Sequence, residues 1–234
     1  MYICYTEQMR ILIVQSRTDE SWVERERENY RRTIGNAADI EFLSTLDEKL
    51  AWTSPDEFLQ RSDGMIFGGS SDFDFHGGRQ EKDPARLMSL IILSRARNIV
   101  QHALAEHLPV FGVCFGHQII AQMHGGDVRN DTTQGKHGSH EVVLTDAGKE
   151  DILFGHLPPS FHARYFHKDA ATTLPTGATL LASGVACHFS ALRYGKNTYT
   201  VQFHPEARAV DEEGKSLHDA ARIIPLWIEH IAGK

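Results

Sequence analysis

Pro109-Val110-Phe111-Gly112-Val113-Cys114-Phe115-Gly116-His117-Gln118 runs a short apolar segment into a cysteine bracketed by glycines, and a helical pattern follows at once. Val110 to Val113 has the length and apolarity of a buried strand. Ile119, Ile120 and Met123 then recur at helical spacing until Gly125-Gly126 stops them. A strand, a sharp turn and a helix put Cys114 at the tip of the turn, where the nucleophile of a strand-turn-helix elbow stands. Glycine on both sides permits the tight fold. The helix start adds unpaired N–H groups and a positive dipole end, which favour a thiolate over a thiol. A buried cysteine at a strand end is the plainer reading of such a residue taken alone, so the assignment needs a partner.

Tyr199-Thr200-Val201-Gln202-Phe203-His204-Pro205-Glu206 supplies one. Apolar residues alternate along this run as in a strand, and Pro205 keeps His204 out of the helical region. Residues two apart on an extended chain share a face, so the His204 imidazole and the Glu206 carboxylate point the same way. A carboxylate on one ring nitrogen fixes the tautomer and leaves the other to exchange a proton with Cys114, the logic of a nucleophile, base and orienter.

Outward from these two runs the pattern is strand and helix in alternation. Arg10 to Gln15, Ile40 to Leu43 and Gly64 to Phe67 are expected strands. The charged stretch Asp19 to Arg32, with pairs such as Glu28 and Arg32, suits an exposed helix. Asp83-Pro84 marks a helix start for a segment reaching about Glu106. This alternation predicts an α/β three-layer sandwich with a central, mostly parallel sheet. After Gly126 the strands Glu141–Leu144, His162–Phe166, Thr179–Ala182, His188–Arg193 and Thr198–Phe203 follow without helices, implying an antiparallel extension. A last helix is expected over Lys215 to Ile231, interrupted or bent at Pro225. No linker or repeat divides residues 1–234, which read as a single domain.

The elbow Gly112-Val113-Cys114-Phe115-Gly116-His117-Gln118 resembles the Gly-x-Cys-x-Gly-x-Gln signature of class I glutamine amidotransferases, and Phe203-His204-Pro205-Glu206 resembles their second one. The 90 positions from Cys114 to His204 fit that family, and the resemblance runs over roughly residues 10 to 206. It implies a flavodoxin-like sheet and a Cys114, His204, Glu206 triad that hydrolyses a γ-glutamyl amide through a thioester. It further implies an oxyanion hole from the N–H groups of Gly69 and Phe115, the former in the loop Gly68-Gly69-Ser70-Ser71, and a substrate-binding role for Gln118 and Gly68. Gly135-Lys136-His137-Gly138-Ser139-His140-Glu141 looks like the place where the family holds the amino-acid end of glutamine, with Ser139 and His140 as binding residues. A glycine-rich turn into a hairpin accounts for that segment equally well. Tyr165-Phe166-His167-Lys168-Asp169 falls where related enzymes carry a His and an acid beside the site, and its role stays open. Ser70 to Gly78 is either a pocket cover or an ordinary surface loop.

Composition bounds what else the chain can be. With 24 basic and 31 acidic side chains, a formal charge of −7 and no basic block, nucleic acid is not the expected partner. No apolar run approaches the ~20 residues that cross a bilayer, so no membrane association is expected. Cys4, Cys114 and Cys187 are odd in number and widely spaced, and Glu7 and Arg10 interrupt any secretory apolar region, which favours a cytoplasmic setting. Fourteen histidines invite a metal reading, but pairs such as His137 with His140 or His102 with His107 lack the spacing of a zinc site, so neither metal nor cofactor is expected. His117, about a turn into the helix, is not expected to be catalytic. Too few residues follow Glu206 for a synthetase domain. Either a separate acceptor subunit takes the ammonia, with glutamine as the substrate, or the chain is a free-standing γ-glutamyl peptide hydrolase. A non-catalytic binding protein on the same fold is the third possibility, against which the intact triad residues speak.

Overall fold

Ile11, Leu12, Ile13 and Val14 are all fully buried, yet they serve two different cores. Ile11 and Ile13 pack with Tyr30, Ile34 and Trp227, whereas Leu12 and Val14 join Ile92, Ile99 and Ile119. Side chains alternate across a strand, so a strand apolar at every position must be covered on both faces. The computed structural model of the protein describes residues 8–70, 84–185, 187–211, 214 and 216–233. Cys4, Asp83, Lys215 and nearly all of the 70–78 loop lie outside them.

In chain order the elements are β1 (Arg10–Gln15), α1 (Glu20–Ile34), β2 (Asp39–Ser44), α2 (Asp56–Leu59), β3 (Gly64–Phe67), α3 (Pro84–Ala105), β4 (Val110–Val113), α4 (Phe115–Met123) and β5 (Val128–Asn130). They continue as β6 (Lys136–Leu144), α5 (Asp146–Lys149), β7 (Ser160–His167), β8 (Asp169–Ala171), β9 (Ala178–Gly184), β10 (Cys187–Tyr194), β11 (Thr198–Val201), α6 (His218–Ala221) and α7 (Ile223–Trp227). A wider helical turn, Ile228–Ala232, closes the described chain. The main sheet has the order β2-β1-β3-β4-β11-β10-β9-β6-β7. Neighbours from β2 to β11 are parallel and those from β11 to β7 antiparallel. All strands except β6 and β10 therefore run one way. Helix α1 and the C-terminal helices cover one face, α3 and α4 the other, which makes the three layers.

Two expectations change, and one small sheet is added to them. The stretch 135–141 is strand from Lys136 onward, because it pairs residue by residue with β7 from Lys136↔His167 to Val143↔Ser160. A small second sheet, β5 with β8, forms from two segments too short to carry a pattern of their own. Helix α1 is not merely a solvated face. It buries Glu26, Tyr30 and Ile34 against the sheet, and Arg32 bonds Asn29 and the Glu206 carbonyl oxygen. Its start is set by Asp19, whose carboxylate accepts from the N–H groups of Ser21 and Trp22. The C-terminal helical segment is broken into α6, α7 and the final turn, with Pro225 in the first turn of α7, where its missing N–H costs least.

Candidate active site

β4 and β11 lie side by side and in parallel, with Val113 opposite Val201. Both therefore end at the same edge of the sheet, and the residues that follow them meet there. This crevice beyond the carboxyl ends of parallel strands is where open α/β sheets place their ligands. Cys114 follows β4 directly. It has φ 52° and ψ −96°, and apart from His107 no other described non-glycine residue has a positive φ. That backbone costs on the order of 1–3 kcal/mol and persists because its surroundings fix it. The Cys114 N–H donates to Val201 O at 2.8 Å, its carbonyl oxygen accepts from Gln118 N–H at 3.1 Å, and Gly116 N–H donates to Gly68 O at 3.3 Å. The bracketing glycines are a steric requirement. A Cβ on Gly112 would stand 2.9 Å from the Gly116 carbonyl carbon, and one on Gly116 would overlap the Phe67 carbonyl oxygen.

His204 sits just past β11, its N–H bound to Arg164 O at 2.8 Å. Its Nδ1 is 2.7 Å from Glu206 Oε1, and the Glu206 carbonyl oxygen in turn accepts from Arg32 Nη2 at 3.1 Å and Thr33 Oγ1 at 3.3 Å. Burial alone would lower the imidazole's pKa, but Glu206 and the Cys114 sulfur outweigh it and push it up to about 10. Gly69 touches both partners: a Cβ placed on it would be 3.1 Å from His204 Cε1 and 3.7 Å from Cys114 Cβ. Cys114, His204, Glu206, Gly69 and Phe115 are thus gathered at one point, with Cys114 only 5 % exposed.

Two cavities flank that point. The smaller, about 150 Å³, is walled by Cys114, Gln118, His137, Phe166, His167 and Asp169 among others. The Gln118 amide is anchored there, donating to Asp169 O at 2.5 Å and to Gln202 Oε1 at 3.2 Å. The cysteine sulfur lies 3.8 Å from the Phe166 carbonyl oxygen. His167 is held neutral, its pKa down at about 4, because burial dominates and His204 and His137 repel a charge there, against a bond to the Asp169 carbonyl. Ser139 and His140 do not wall this cavity; His140 instead turns its ring towards Tyr165 and bonds the His137 carbonyl oxygen. From that segment His137 does wall it. Gly68 is not among the residues that wall it, and its carbonyl oxygen accepts from the Gly116 N–H. His117 points into the core, its Nδ1 2.9 Å from Thr200 Oγ1, and burial drops its pKa to about 3.

The larger cavity, about 380 Å³, has His204 and Glu206 in its wall. Sequence patterns alone do not find its main features. Arg17 follows β1 and enters the site with Nε 3.1 Å from Glu26 Oε1, while Gln15 Nε2 bonds Glu26 Oε2 at 2.9 Å. Burial works against the guanidinium charge, but Glu26, Cys114 and Glu206 together raise its pKa. The available signal is a charged residue shortly after a strand whose centre, Ile11 to Val14, is apolar at every position.

A family model for class-I glutamine amidotransferases matches residues 83–223, more than half of the chain. The chain belongs to that family. It is 34% identical over 134 residues to a subunit of the glutamine-hydrolysing GMP synthase of Methanocaldococcus jannaschii, covering 56% of this chain and 68% of that protein. It is 28% identical over 176 residues to the corresponding subunit of Methanothermobacter thermautotrophicus, covering 74% and 82%. Among solved structures, a candidate GMP synthase subunit of Thermoplasma acidophilum superposes with a TM-score of 0.71 at 20% identity, over 98% of this chain and 96% of that one. A glutamine amidotransferase of Thermotoga maritima gives 0.59 at 19% identity, over 95% and 82%. The amidotransferase family thus has the same α/β fold. Among the described residues no helix is long and apolar enough to cross a membrane, and no group of three or more His, Cys, Asp or Glu side chains is placed to hold a metal ion.

Proposed function

We propose that the chain hydrolyses a γ-glutamyl amide at Cys114. The observation that carries this reading is the strained, sterically locked cysteine beside an imidazole whose other nitrogen is fixed by Glu206 at 2.7 Å. The Cys114 sulfur attacks the γ-carbonyl carbon. Developing negative charge on the oxygen is met by the backbone N–H groups of Gly69 and Phe115, each such donor contributing about 3 kcal/mol. The C–N bond breaks as the His204 imidazolium gives its proton to the leaving nitrogen, and a γ-glutamyl thioester remains. His204 then takes a proton from water, hydroxide adds to the thioester, and glutamate leaves as the thiol is restored. Gln118 and Gly68 line or support the acyl side.

Glutamine is the donor in this reading, and the ammonia goes to a synthetase subunit. The relatives' names, each that of one subunit of a glutamine-hydrolysing synthase, support such a partner. The size of the larger cavity, about 380 Å³, favours a second reading, a free-standing γ-glutamyl peptide hydrolase. Purified protein is offered glutamine and γ-glutamyl dipeptides with no partner. Fast dipeptide cleavage with idle glutamine selects the hydrolase, and glutamine turnover that needs an added acceptor protein selects the first reading. Survival of either activity in Cys114→Ala would overturn both.

A further inference from the structure

We infer that Arg17 is a positioning residue for the reaction: its guanidinium, clamped by Glu26, is the wall that seats the Gly68-Gly69 loop so that the Gly69 N–H meets the oxyanion. The inference rests on the γ-glutamyl amide reading of Cys114 and adds to it a residue pair from the end of β1 and from α1. The Arg17 side chain is 10 % exposed and that of Glu26 3 %, with Arg17 Nε 3.1 Å from Glu26 Oε1. The other Glu26 oxygen accepts from Gln15 Nε2 at 2.9 Å, and Gln15 Oε1 accepts from Arg27 Nε at 3.0 Å. The two glycines lie against this pair in order. A Cβ on Gly68 would stand 3.1 Å from Glu26 Oε1, and one on Gly69 would stand 2.9 Å from Arg17 Nη2. The end of a long side chain ordinarily swings away from such a contact, but Glu26 holds this one. The ion pair thus fills the space that side chains on the loop would need.

Gly69 depends on that wall more than its neighbours do. Gly68 N–H donates to Val14 O at 3.0 Å, Gly68 O accepts from Gly116 N–H at 3.3 Å, and Ser70 Oγ donates to Ser16 O at 2.5 Å. Gly69, between them, makes no hydrogen bond among the described residues, so its N–H is unspent. Glycine turns readily through φ and ψ, and here contact alone sets where its N–H points. The contacts at its Cβ position are Arg17 Nη2, His204 Cε1 at 3.1 Å and Cys114 Cβ at 3.7 Å. A buried ion pair is a firm neighbour, because separating it leaves a charge without its partner. Firmness matters, since an oxyanion donor acts only when held about 3 Å from the developing charge.

Two reactions of Cys114 test the assignment. Hydrolysis of glutamine or a γ-glutamyl dipeptide, whichever the wild type cleaves, needs the oxyanion donor. Alkylation by iodoacetamide, read at Cys114 by mass spectrometry and followed to its pH plateau, displaces iodide from a saturated carbon and needs none. In Arg17→Ala, kcat should fall about 10- to 100-fold, part of the roughly 10²- to 10³-fold lost with a whole oxyanion donor. KM and the limiting alkylation rate should stay within about threefold of wild type. Arg17→Lys and Glu26→Gln, which each keep part of the clamp, should fall between. An unchanged kcat in Arg17→Ala overturns the inference, and so does alkylation that slows in step with hydrolysis, because Arg17 then acts on the sulfur. If Arg17→Ala does not fold, R17A/E26Q, which leaves no buried charge of the pair unmatched, is judged by the same two rates. If the wild type cleaves no γ-glutamyl amide, the reading of Cys114 fails by itself. Acyl transfer from p-nitrophenyl acetate to Cys114, which uses the same donor, then judges Arg17, and an equal rate in wild type and variant, or none in either, overturns its role.

Discussion

The elbow and the paired strands β6 and β7 face the same small cavity, but they are built on opposite terms. At the elbow the backbone is crowded: Gly112 and Gly116 have no space for a methyl group, and Cys114 is held in a left-handed conformation by bonds to β11 and to the first turn of α4. In the paired strands Gly138 also has a positive φ, 91°, yet a Cβ there would meet nothing within 4 Å, and Phe166 is half exposed. The nucleophile is thus positioned by covalent geometry and main-chain bonds. The groups opposite it, His137, Phe166 and His167, are presented by side chains on a paired but open ribbon. Chemistry is fixed at one wall, and recognition can drift at the other.

Substitutions break this contrast in graded fashion. Cys114→Ala removes the attacking sulfur and should abolish turnover, while its melting temperature changes little because the Cβ that the positive φ crowds is kept; kinetics and calorimetry check both. His204→Ala should cost about 10²- to 10⁴-fold in kcat/KM, the usual share of a positioned acid–base group. Gly116→Ala forces the Phe67 carbonyl to move, so it should destabilise the fold by about 3 kcal/mol in urea unfolding and lower activity as well. Gly138→Ala should cost only about 1 kcal/mol, for the backbone conformation alone, and leave kcat within about twofold. A larger loss there than at Gly116 would erase the distinction between the two walls.

pH sharpens it further, since two histidines at the elbow end, His117 and His204, have their pKa values moved in opposite directions. His117 is held below its ordinary value, at about 3, so the unfolded chain binds the extra proton between pH 6.5 and 3 and stability falls as the solution is acidified through that window. His204 is held above, at about 10, so its pairing with Glu206 contributes fully below pH 6.5 and is lost as pH rises towards 10. Melting curves of His117→Gln should lose part of the acid slope, and those of Glu206→Gln part of the alkaline slope.

The same contrast decides what could be read from the sequence. β1, β3 and β4 are legible to the residue because apolar runs buried on both faces leave no ambiguity. The elbow is legible because steric crowding admits only glycine beside it. Ser139 and His140 are placed at the site by resemblance, whereas the wall of the smaller cavity holds His137 and neither of them; which residue of a ribbon borders a cavity depends on register, which only the partner strand sets. Arg17, Glu26 and Trp22 escape a sequence reading for a related reason. Their meeting with His204 and Phe166 joins α1 and the turn before it to residues more than a hundred positions later, and no local pattern encodes it.

β11 occupies the middle of the main sheet although it is the last strand of that sheet to leave the ribosome. Until it emerges, β4 on one side and β10 on the other present bare edges whose amide groups lack their mates, and such edges recruit other chains. Slotting a strand into a gap between two preformed halves is a slow, long-range event. Nascent chains halted before Thr198 are therefore the species most in need of a chaperone, and catalytic power arrives in one step with structural closure.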